Sequence, residues 1–364
     1  MLLSNFVLKQ ESFGIDISDL SLKIIKLKKD KSFFGLSCFG EFPIKPGIII
    51  EGEIKNEEEL VKIIKESLIK VKGNKLSTKY VTASLPEEKA FLDVIHMPKM
   101  KEEDIKKAAR FEAENYIPLP INEVYFDCQI IGKIDSQSEH LDVLIAAMPQ
   151  GIVDSYMSCF KKAGLIPLAL EIESQAISRA IISDKFNEEP TLIIDFGATN
   201  TRLIIFSGRS LRFTDSIQIF SQLFTNVIAK EMNIPQEQAE KLKIKYGLSK
   251  EGEKGQDVFN AIKPILEDLV EQIKKHIEYY QSHVQPKHLS SDKRTIGRIF
   301  LCGGGADIKG LVDFLSLRLK ISTELGNPWT NILPQPLKEV PELSYKDSLK
   351  FTTALGLALR GIKE

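Results

Sequence analysis

Residues Thr191–Gly208, TLIIDFGATNTRLIIFSG, predict two strands joined by a tight turn. The apolar, β-branched run Thr191–Ile194 is typical of a strand buried on both faces, and Leu203–Phe206 predicts the returning strand. Between them lie Asp195, Gly197 and several small or hydroxylic residues. Such a turn brings backbone N–H groups close to a phosphate chain, and its carboxylate can hold a hydrated Mg²⁺. Taken alone, however, an Asp-x-Gly turn is more often only a turn.

The same stretch occurs a second time near the start of the chain. Residues Ile15–Leu27, IDISDLSLKIIKL, align without a gap on Ile194–Phe206, IDFGATNTRLIIF. In this alignment Asp16 falls on Asp195, Ser18 on Gly197 and Lys23 on Arg202. Two copies of one hairpin predict two similar α/β domains that face each other across a nucleotide.

Composition excludes several classes of protein. The chain has 364 residues, 43% of them hydrophobic, which is enough for two or three domains. The net charge of −1 gives no support for a nucleic-acid partner. No apolar run approaches the ~18 residues of a membrane span, and MLLSNFVLKQE lacks the features of a signal peptide. The four cysteines form no CxxC pair, so we expect a cytoplasmic protein with free thiols.

The order of predicted elements indicates two cores, each interrupted by an insertion. Both cores follow the order of a mixed sheet with covering helices. In the helix pattern Val258–Tyr280, Pro264 predicts a bend or a split-off first turn. The helix pattern Lys101–Asn115 places Phe111 among the candidate core residues. The predicted division is a first core of residues 12–85 and 149–190 with the closing helix 345–364, a small α/β insertion at 86–148, a second core of 191–220 and 297–344, and a helical insertion at 221–296.

A triple glycine follows the last buried strand that the sequence predicts. Gly303–Gly305 comes directly after Arg298–Cys302, and the pattern predicts a helix from Ala306 to about Leu319. Three glycines leave room for a flat ring or a sugar, and a helix N-terminus supplies free N–H donors. The alternative is a strand–helix connection kept small for packing. The motif is neither GxGxxG nor GxxxxGK[ST], which disfavours the corresponding nucleotide folds.

The order of two acidic hairpins, a GGG turn and a closing Ala/Gly-rich helix resembles the actin-like ATPase superfamily. Within it, nearly the whole chain resembles the type IV pilus assembly protein PilM family, whose relatives include the division protein FtsA. The resemblance implies an α/β fold, the duplicated ribonuclease-H-like fold, with two domains that each carry an inserted subdomain around a nucleotide cleft. It also implies ATP and Mg²⁺ as cofactors.

The resemblance assigns roles residue by residue. Asp16 and Asp195 are the expected catalytic and metal-facing carboxylates, on opposite sides of a hydrated Mg²⁺. Leu170–Ser174 and Thr353–Leu357 resemble two hinge-like connecting elements. The other implied nucleotide contacts are Ser18, Asp19, Ser21 and Lys23 in the first phosphate motif, Gly197, Ala198, Thr199 and Asn200 in the second, Gly303, Gly304, Gly305 and Asp307 in the adenosine motif, and Glu240 and Lys243 at the ribose and base.

Several questions about these residues stay open at the level of sequence. The family commonly has glycine where this chain has Ser18, and serine is costly there if the turn needs a positive φ. If it does not, the hydroxyl could bind phosphate or water. Asp19 adds a negative charge unless it points at metal or solvent, and Lys23 and Arg202 are either cross-strand charges or phosphate contacts. Because no residue can be named as the base that activates water, we expect at most a weak ATPase.

The family resemblance also implies partners. It predicts a cytosolic ATP-binding adaptor that binds the cytoplasmic tail of the inner-membrane protein PilN and other pilus assembly components. The implied groove lies near Tyr116, Ile117 and Leu119, which from the residues alone are either core or groove wall. We expect a protein held at the inner face of the cell membrane through its partners, with possible self-association, no nucleic acid and no anchor of its own.

Two other functions fit the same superfamily. An FtsA-like filament protein would end in an amphipathic membrane-binding helix, whereas this sequence ends with Gly361–Glu364, directly after the predicted packing helix. A small-molecule kinase would need an acceptor-activating carboxylate beyond Asp16 and Asp195, and none is evident.

Overall fold

The computed structural model describes residues 10–30, 33–131, 140–183, 190–283, 295–334 and 336–363. The polar loops predicted at 132–139 and, for the most part, at 282–295 lie outside the described residues, as does Glu364. The strands are β1 (Phe13–Ile17), β2 (Ser21–Asp30), β3 (Phe33–Pro43), β4 (Ile49–Ile50), β5 (Glu53–Ile54), β6 (Lys72–Gly73), β7 (Tyr80–Leu85), β8 (Phe91–Pro98), β9 (Val124–Ile131), β10 (His140–Pro149), β11 (Ile166–Ile172), β12 (Thr191–Phe196), β13 (Thr201–Ser207), β14 (Ser210–Ile217), β15 (Arg298–Cys302) and β16 (Ser322–Leu325). The helices are α1 (Glu57–Ile69), α2 (Glu102–Ala113), α3 (Gln150–Lys162), α4 (Glu173–Ile181), α5 (Ser221–Glu231), α6 (Gln236–Tyr246), α7 (Gly252–His283), α8 (Leu311–Leu319), α9 (Tyr345–Ser348) and α10 (Thr352–Lys363).

The two large sheets repeat one topology. In the first, β1 pairs antiparallel with β2 and parallel with β7, within the order β11-β7-β1-β2-β3-β6. In the second, β12 pairs antiparallel with β13 and parallel with β15, within the order β14-β13-β12-β15-β16. We call these sheets and their covering helices the first and second cores. The duplication inferred from the two hairpin sequences is therefore confirmed in strand pairing.

The central strands are buried along their whole length, as their apolar runs predict. All five residues of β1 and all six of β12 are buried. Helix α10 packs across β1 closely enough that a Cβ on Gly14 would lie 2.4 Å from the carbonyl oxygen of Ala354. Small residues at this crossing let the closing helix lie directly on the first core.

A small sheet and a group of helices lie outside the two cores. The small sheet has the order β8-β10-β9, and α2 packs on one of its faces; we call this unit the small subdomain. Helices α5, α6 and α7 pack together beside the second core. None of the helices in the described ranges has both the length and the apolar character that crossing a membrane requires.

Three local expectations differ from the structure. Phe111 is 74% exposed, because it lies on the opposite side of α2 from the buried Ile105, Ala109 and Ala113. Helix α7 continues through Pro264 as one helix, so the split-off first turn was wrong, whereas a bend at Pro264 stays a prediction. The helix predicted from Ala306 begins only at Leu311, because residues 303–310 form turns that end at the left-handed Gly310, φ +83°.

Candidate functional site

The turns of the two duplicated hairpins meet at a cleft between the cores. Its cavity measures about 140 Å³. Most of the residues predicted from the sequence line it together: Asp16, Ser18, Asp19, Ser21, Lys23, Asp195, Gly197, Ala198, Thr199, Asn200, Gly303 and Gly304. The two acidic turns therefore lie on opposite walls of one cleft.

The two turns share the same internal hydrogen bond. The N–H of Ser18 donates to the carbonyl oxygen of Ser21 at 2.9 Å, and the N–H of Gly197 donates to that of Asn200 at 3.0 Å. Within the described part of the chain, no acceptor faces the N–H groups of the two middle residues of each turn, Asp19 and Leu20 in the first and Ala198 and Thr199 in the second. Free backbone donors on both walls suit the oxygens of a phosphate chain.

Serine fits the first turn without strain. Neither Ser18 nor Gly197 has a positive φ, so this turn position does not require glycine. The Ser18 hydroxyl donates to the carbonyl oxygen of Ser21 at 3.1 Å, and Lys23 Nζ donates to Ser21 Oγ at 2.8 Å. The alternative in which serine is costly is therefore wrong, and binding of phosphate or water by the hydroxyl stays a prediction.

Asp19 is engaged by backbone amides. Its two carboxylate oxygens accept hydrogen bonds from the N–H groups of Glu51 at 2.9 Å and Gly52 at 3.0 Å. Both donors belong to the turn between β4 and β5, where each has a positive φ. The charge of Asp19 is thus used to hold this turn against the first hairpin.

Each acidic residue has a cationic neighbour opposite it on the next strand. Asp16 pairs in register with Lys23, whose Nζ lies 3.8 Å from Asp16 Oδ2. Asp195 pairs in register with Arg202, whose Nη1 donates to Asp195 Oδ2 at 2.9 Å. Asp16 also accepts a hydrogen bond from Ser84 Oγ at 2.9 Å. Both cations are cross-strand partners, and both also line the cleft.

Glu173 and Glu88 join the site from the first half of the chain, and neither was singled out from the sequence. Glu173, the first residue of α4, is buried and lies 2.5 Å from Arg202 Nη2, while Glu88 lies 3.7 Å from it. Burial raises the pKa of Glu173 well above its ordinary value. For Arg202, burial lowers the pKa, but Glu173, Asp195 and Glu88 more than offset this and raise it. Glu41 and Lys350 are further lining residues that the sequence did not point to, and Thr353 of the second hinge-like element also lines the cleft.

The donor set suits a metal held chiefly by a nucleotide. Among the described residues no cluster of three or more histidine, cysteine or acidic side chains is arranged around a metal position. Mg²⁺ typically takes one or two protein carboxylates and completes its shell with water and phosphate oxygens. Asp16 and Asp195, both nearly buried at the cleft, fit that limited role.

The triple glycine combines both interpretations left open by the sequence. Gly303 has φ +88°, and a Cβ there would lie 2.5 Å from Asp195 Oδ1. A Cβ on Gly305 would lie 2.5 Å from the ring of Phe196, so this residue is small for packing. Gly304 is exposed and lines the cleft with Gly303. One glycine therefore serves the core, and two border the candidate site.

The residues predicted to hold the ribose and base do not line this cavity. Lys243 is only 3% exposed, and its Nζ donates to Ser221 Oγ at 2.8 Å and to Thr225 Oγ1 at 2.9 Å. The same Nζ lies 2.8 Å from Glu240 Oε2, and burial lowers the pKa of Lys243. Asp307 pairs with Lys346 at 3.1 Å. Ribose and base contacts by Glu240, Lys243, Gly305 and Asp307 stay predictions.

The segment predicted as a groove wall is partly core and partly surface. Ile117 is buried in the core of the small subdomain, whereas Tyr116 is 46% and Leu119 40% exposed. Ile117 therefore follows the core alternative, whereas a groove-wall role for Tyr116 and Leu119 stays a prediction. With Phe111, the exposed side chains are the apolar surface residues of this segment, and we call Phe111, Tyr116 and Leu119 the apolar patch.

A larger cavity of about 600 Å³ lies on the other face of the small sheet. The β9–β10 register pairs Asp127 with Ala146 and Gln129 with Leu144, and all four line this cavity, whereas α2 covers the alternate positions such as Val143. We call this cavity the groove. Its further walls come from α4, α10 and the β13–β14 turn, with the basic residues Arg179, Arg209, Arg360 and Lys363.

Comparison with known proteins identifies the family. A family described as type IV pilus assembly protein PilM matches residues 14–362. A solved PilM-PilN type IV pilus biogenesis complex is 27% identical, with a TM-score of 0.80 over 98% of this chain and 100% of that one. MreB 5 of Spiroplasma citri bound to AMPPNP has a TM-score of 0.56 at 13% identity, over 97% of this chain and 98% of that one, which shows a shared fold.

The curated relatives are cell division proteins. FtsA of Enterococcus hirae is 28% identical over 209 residues, which cover 52% of this chain and 47% of the relative. FtsA of Helicobacter pylori strain 26695 is 37% identical over 82 residues, 22% of this chain and 17% of the relative. In its first curated matches, the chain thus spans about half the length of the relative or less. The fold is that of actin-like ATPases, and since the family match covers nearly every residue, the chain belongs to the type IV pilus assembly protein PilM family.

Proposed function

We propose that this protein is an ATP-binding adaptor of type IV pilus assembly. In this proposal it binds Mg²⁺ and ATP in the cleft and the cytoplasmic tail of a PilN-type inner-membrane protein beside the small subdomain. It acts in the cytoplasm at the inner face of the membrane, together with other pilus components. The observation that carries the nucleotide site is the pair of equivalent turns, each with two free N–H donors, on opposite cleft walls. Family membership and the similar PilM-PilN complex support the partner.

In this proposal, different cleft residues hold the phosphate chain and the metal ion. The turns at 18–21 and 197–200 would hold phosphate oxygens through backbone N–H groups. Asp16 and Asp195 would hold the hydrated Mg²⁺, which neutralises the phosphate charge when bound. The division into two cores with insertions at 86–148 and 221–296 is part of the same proposal, since it places one turn in each core.

Nucleotide binding rather than fast hydrolysis is the expected activity. Glu173 is the buried carboxylate that enters the cleft from the hinge-like element, but it is engaged by Arg202 at 2.5 Å. Although burial raises the pKa of Glu173, its Oε2 already contacts Arg202 and accepts from the N–H of Glu87, so this oxygen is not free to take a proton from an attacking water. The chain is therefore suited to report nucleotide state to a partner, with at most weak ATPase activity.

The nucleotide site is tested with Asp195→Asn, which keeps the size of the side chain. We expect at least a tenfold weaker affinity for ATP in the presence of Mg²⁺, measured by isothermal titration calorimetry, because one of two metal-facing charges is lost. The control is Asp215→Asn, at a half-exposed position of β14 paired with His276. Equal ATP affinity in Asp195→Asn and the unchanged protein would refute the assignment.

The partner tail has two candidate sites on opposite faces of the small sheet. The apolar patch is exposed, whereas the groove is a cavity of about 600 Å³ with an exposed edge strand, β9, along one wall. An extended peptide can add to such an edge through main-chain hydrogen bonds. We therefore favour the groove, which adjoins the small subdomain as the family resemblance implies.

One substitution on each face of the small sheet tests this choice, because Gln129 lines the groove and Leu119 belongs to the apolar patch. A synthetic PilN-type tail should bind more weakly to Gln129→Trp, which fills the groove. Leu119→Ser, the matched change in the apolar patch, should bind normally. Loss of binding only in Leu119→Ser would place the tail on the patch, and no binding to the unchanged protein would contradict the adaptor role.

A further inference from the structure

Arg202 joins the two halves of the molecule at the floor of the cleft. It belongs to β13 of the second core, where it contacts Asp195 of the same hairpin at 2.9 Å. Its other nitrogen, Nη2, contacts Glu173 at 2.5 Å and Glu88 at 3.7 Å, and both of these residues belong to the first half of the chain. All three partners are carboxylates with side chains at most 24% exposed. One guanidinium thus bridges β13, α4 and the turn before β8.

The equivalent residue of the first hairpin makes no such bridge. Lys23 occupies the same position as Arg202 in the duplicated sequence. Its polar partners among the described residues are Ser21 at 2.8 Å and Asp16 at 3.8 Å, both on its own hairpin. The duplicated fold therefore contains a natural internal control, in which the same cross-strand pair exists without a contact between the halves.

The bridge is both strong and sensitive to a competing cation. Buried and charge-assisted contacts of a guanidinium with two carboxylates hold their geometry closely. However, Asp195 is shared between Arg202 and the proposed metal position. A divalent cation close to Asp195 repels the guanidinium, and phosphate oxygens in the cleft attract it, so both charges of a bound metal–nucleotide act on the same arginine.

We propose that Arg202 is a clasp that holds the two halves together in the nucleotide-free protein, and that a magnesium–nucleotide loosens it because its phosphate oxygens draw the guanidinium away from Glu173. The clasp itself stands on the observed ion pairs, whereas its trigger rests on the proposed nucleotide site. Glu173 is also the first residue of α4, whose later residues Gln175, Ser178 and Arg179 line the groove. Release of Glu173 therefore acts on the element that borders the proposed partner site.

The clasp is tested without nucleotide by hydrogen–deuterium exchange on the full chain. Glu173→Gln removes the charge but keeps an oxygen that can accept from the N–H of Glu87, so the fold is retained. We expect faster exchange at the start of α4 and along β13. The matched control, Lys23→Gln, should leave exchange at α4 and β13 unchanged. Unchanged exchange in Glu173→Gln would overturn the clasp.

A double-mutant cycle separates the clasp from the other contacts of Arg202, which also pairs with Asp195 of its own hairpin. Exchange at α4 is compared in Glu173→Gln, Arg202→Gln and the double variant. The effect in the double variant should be smaller than the sum of the two single effects, because both single substitutions remove the same contact. Fully additive effects would mean that the two residues do not act through one contact.

The trigger is tested by titrating Mg²⁺ and the non-hydrolysable analogue AMPPNP. Because the clasp competes with the metal–nucleotide, Glu173→Gln should bind it about fivefold more tightly than the unchanged protein. Equal or weaker binding would overturn the trigger. If the unchanged protein binds no nucleotide, the proposed function fails, while the exchange result still decides whether the clasp exists.

Discussion

Gly303 carries the strictest steric requirement in the cleft. Its φ is +88°, and a Cβ would lie 2.5 Å from Asp195 Oδ1 and 2.7 Å from the carbonyl oxygen of Phe196. The side chain of alanine disfavours this backbone region and would press on the carboxylate that we assign to the metal. We therefore expect Gly303→Ala to lower the free energy of unfolding by about 1–3 kcal/mol and to weaken ATP binding.

The neighbouring glycine is the matched control for this substitution. Gly304 does not have a positive φ, and a Cβ there would meet only Lys350 Cβ at 3.7 Å, an ordinary contact. Gly304→Ala should change the free energy of unfolding by no more than about 0.5 kcal/mol. Urea denaturation monitored by circular dichroism compares the two variants. Similar losses in both would show that the Gly303 contact with Asp195 is not what matters.

At the same scale, residues differ in how far sequence predicts their role. Asp16 and Asp195 were predictable, because each lies in a local pattern that the chain repeats. Glu173 and Glu88 were not, since they reach Arg202 only when the two halves pack together. The φ of Ser18 could not be predicted either, because it depends on the hydrogen bond that closes its turn. Local motifs thus identify Asp16 and Asp195, whereas Glu173 and Glu88 become part of the site only through tertiary packing.

Lys243 acts at the scale of helices, as a buried connection between α6 and α5. Its ammonium donates to Ser221 and Thr225 on α5 and pairs with Glu240 on α6. Replacing it leaves these acceptors without a donor, which is costly for buried groups. We expect Lys243→Met to lower the free energy of unfolding by about 2–4 kcal/mol, measured by urea denaturation.

The same variant tests the predicted role of Lys243 at the nucleotide base. Because its side chain is 3% exposed and lies outside the cleft lining, ATP affinity of the folded variant should stay within about twofold. Lys241→Met, an exposed position on the same helix paired with Glu237, should change the free energy of unfolding by about 0.5 kcal/mol or less. A large loss of ATP affinity in Lys243→Met would support the base contact instead.

Whole elements were predictable where local propensity and tertiary packing agree. Strand β15 has the bounds that its apolar run predicts. The predicted start of α8 at Ala306 was wrong. The N–H of Gly305 donates to the carbonyl oxygen of Phe196 in the neighbouring strand, and residues 303–310 stay in turns. The predicted burial of Phe111 was also wrong. That prediction rested on the aromatic side chain and not on its position on the helical wheel, which is opposite the buried residues of α2. Contacts from outside the segment decide where α8 starts, whereas helical periodicity alone would have corrected the prediction for Phe111.

At the scale of the whole molecule, α4 and α10 are the elements where both sites meet. Helix α4 begins at Glu173 in the cleft and continues along the groove, and α10 contributes Arg360 to the groove. Arg179 of α4 binds the buried carboxylate of Glu171 and donates to the carbonyl oxygen of Gly356 in α10 at 3.2 Å. The two helices are therefore joined side by side, and their separation is set by the small residues between them.

Gly356 provides the most direct test of this arrangement. A Cβ at this position would lie 1.9 Å from the carbonyl oxygen of Ala176 in α4, which is backbone and cannot rotate away. Alanine is intrinsically the better helix residue by about 1 kcal/mol, but here the overlap must force α10 and α4 apart. We expect Gly356→Ala to lower the free energy of unfolding by about 1–3 kcal/mol or more, measured by urea denaturation.

Substitution of a second helical glycine, Gly151, measures the effect of helix propensity without an effect on packing. Gly151 lies near the start of α3, where a Cβ would meet nothing within 4 Å. Gly151→Ala should therefore raise the free energy of unfolding by up to about 1 kcal/mol, the opposite sign to Gly356→Ala. Because α4 links cleft and groove, Gly356→Ala should also alter both ATP affinity and tail affinity, whereas Gly151→Ala should alter neither. Gly356→Ala with unchanged stability would mean that α10 does not set the position of α4, and the proposed link between the two sites would lose its structural basis.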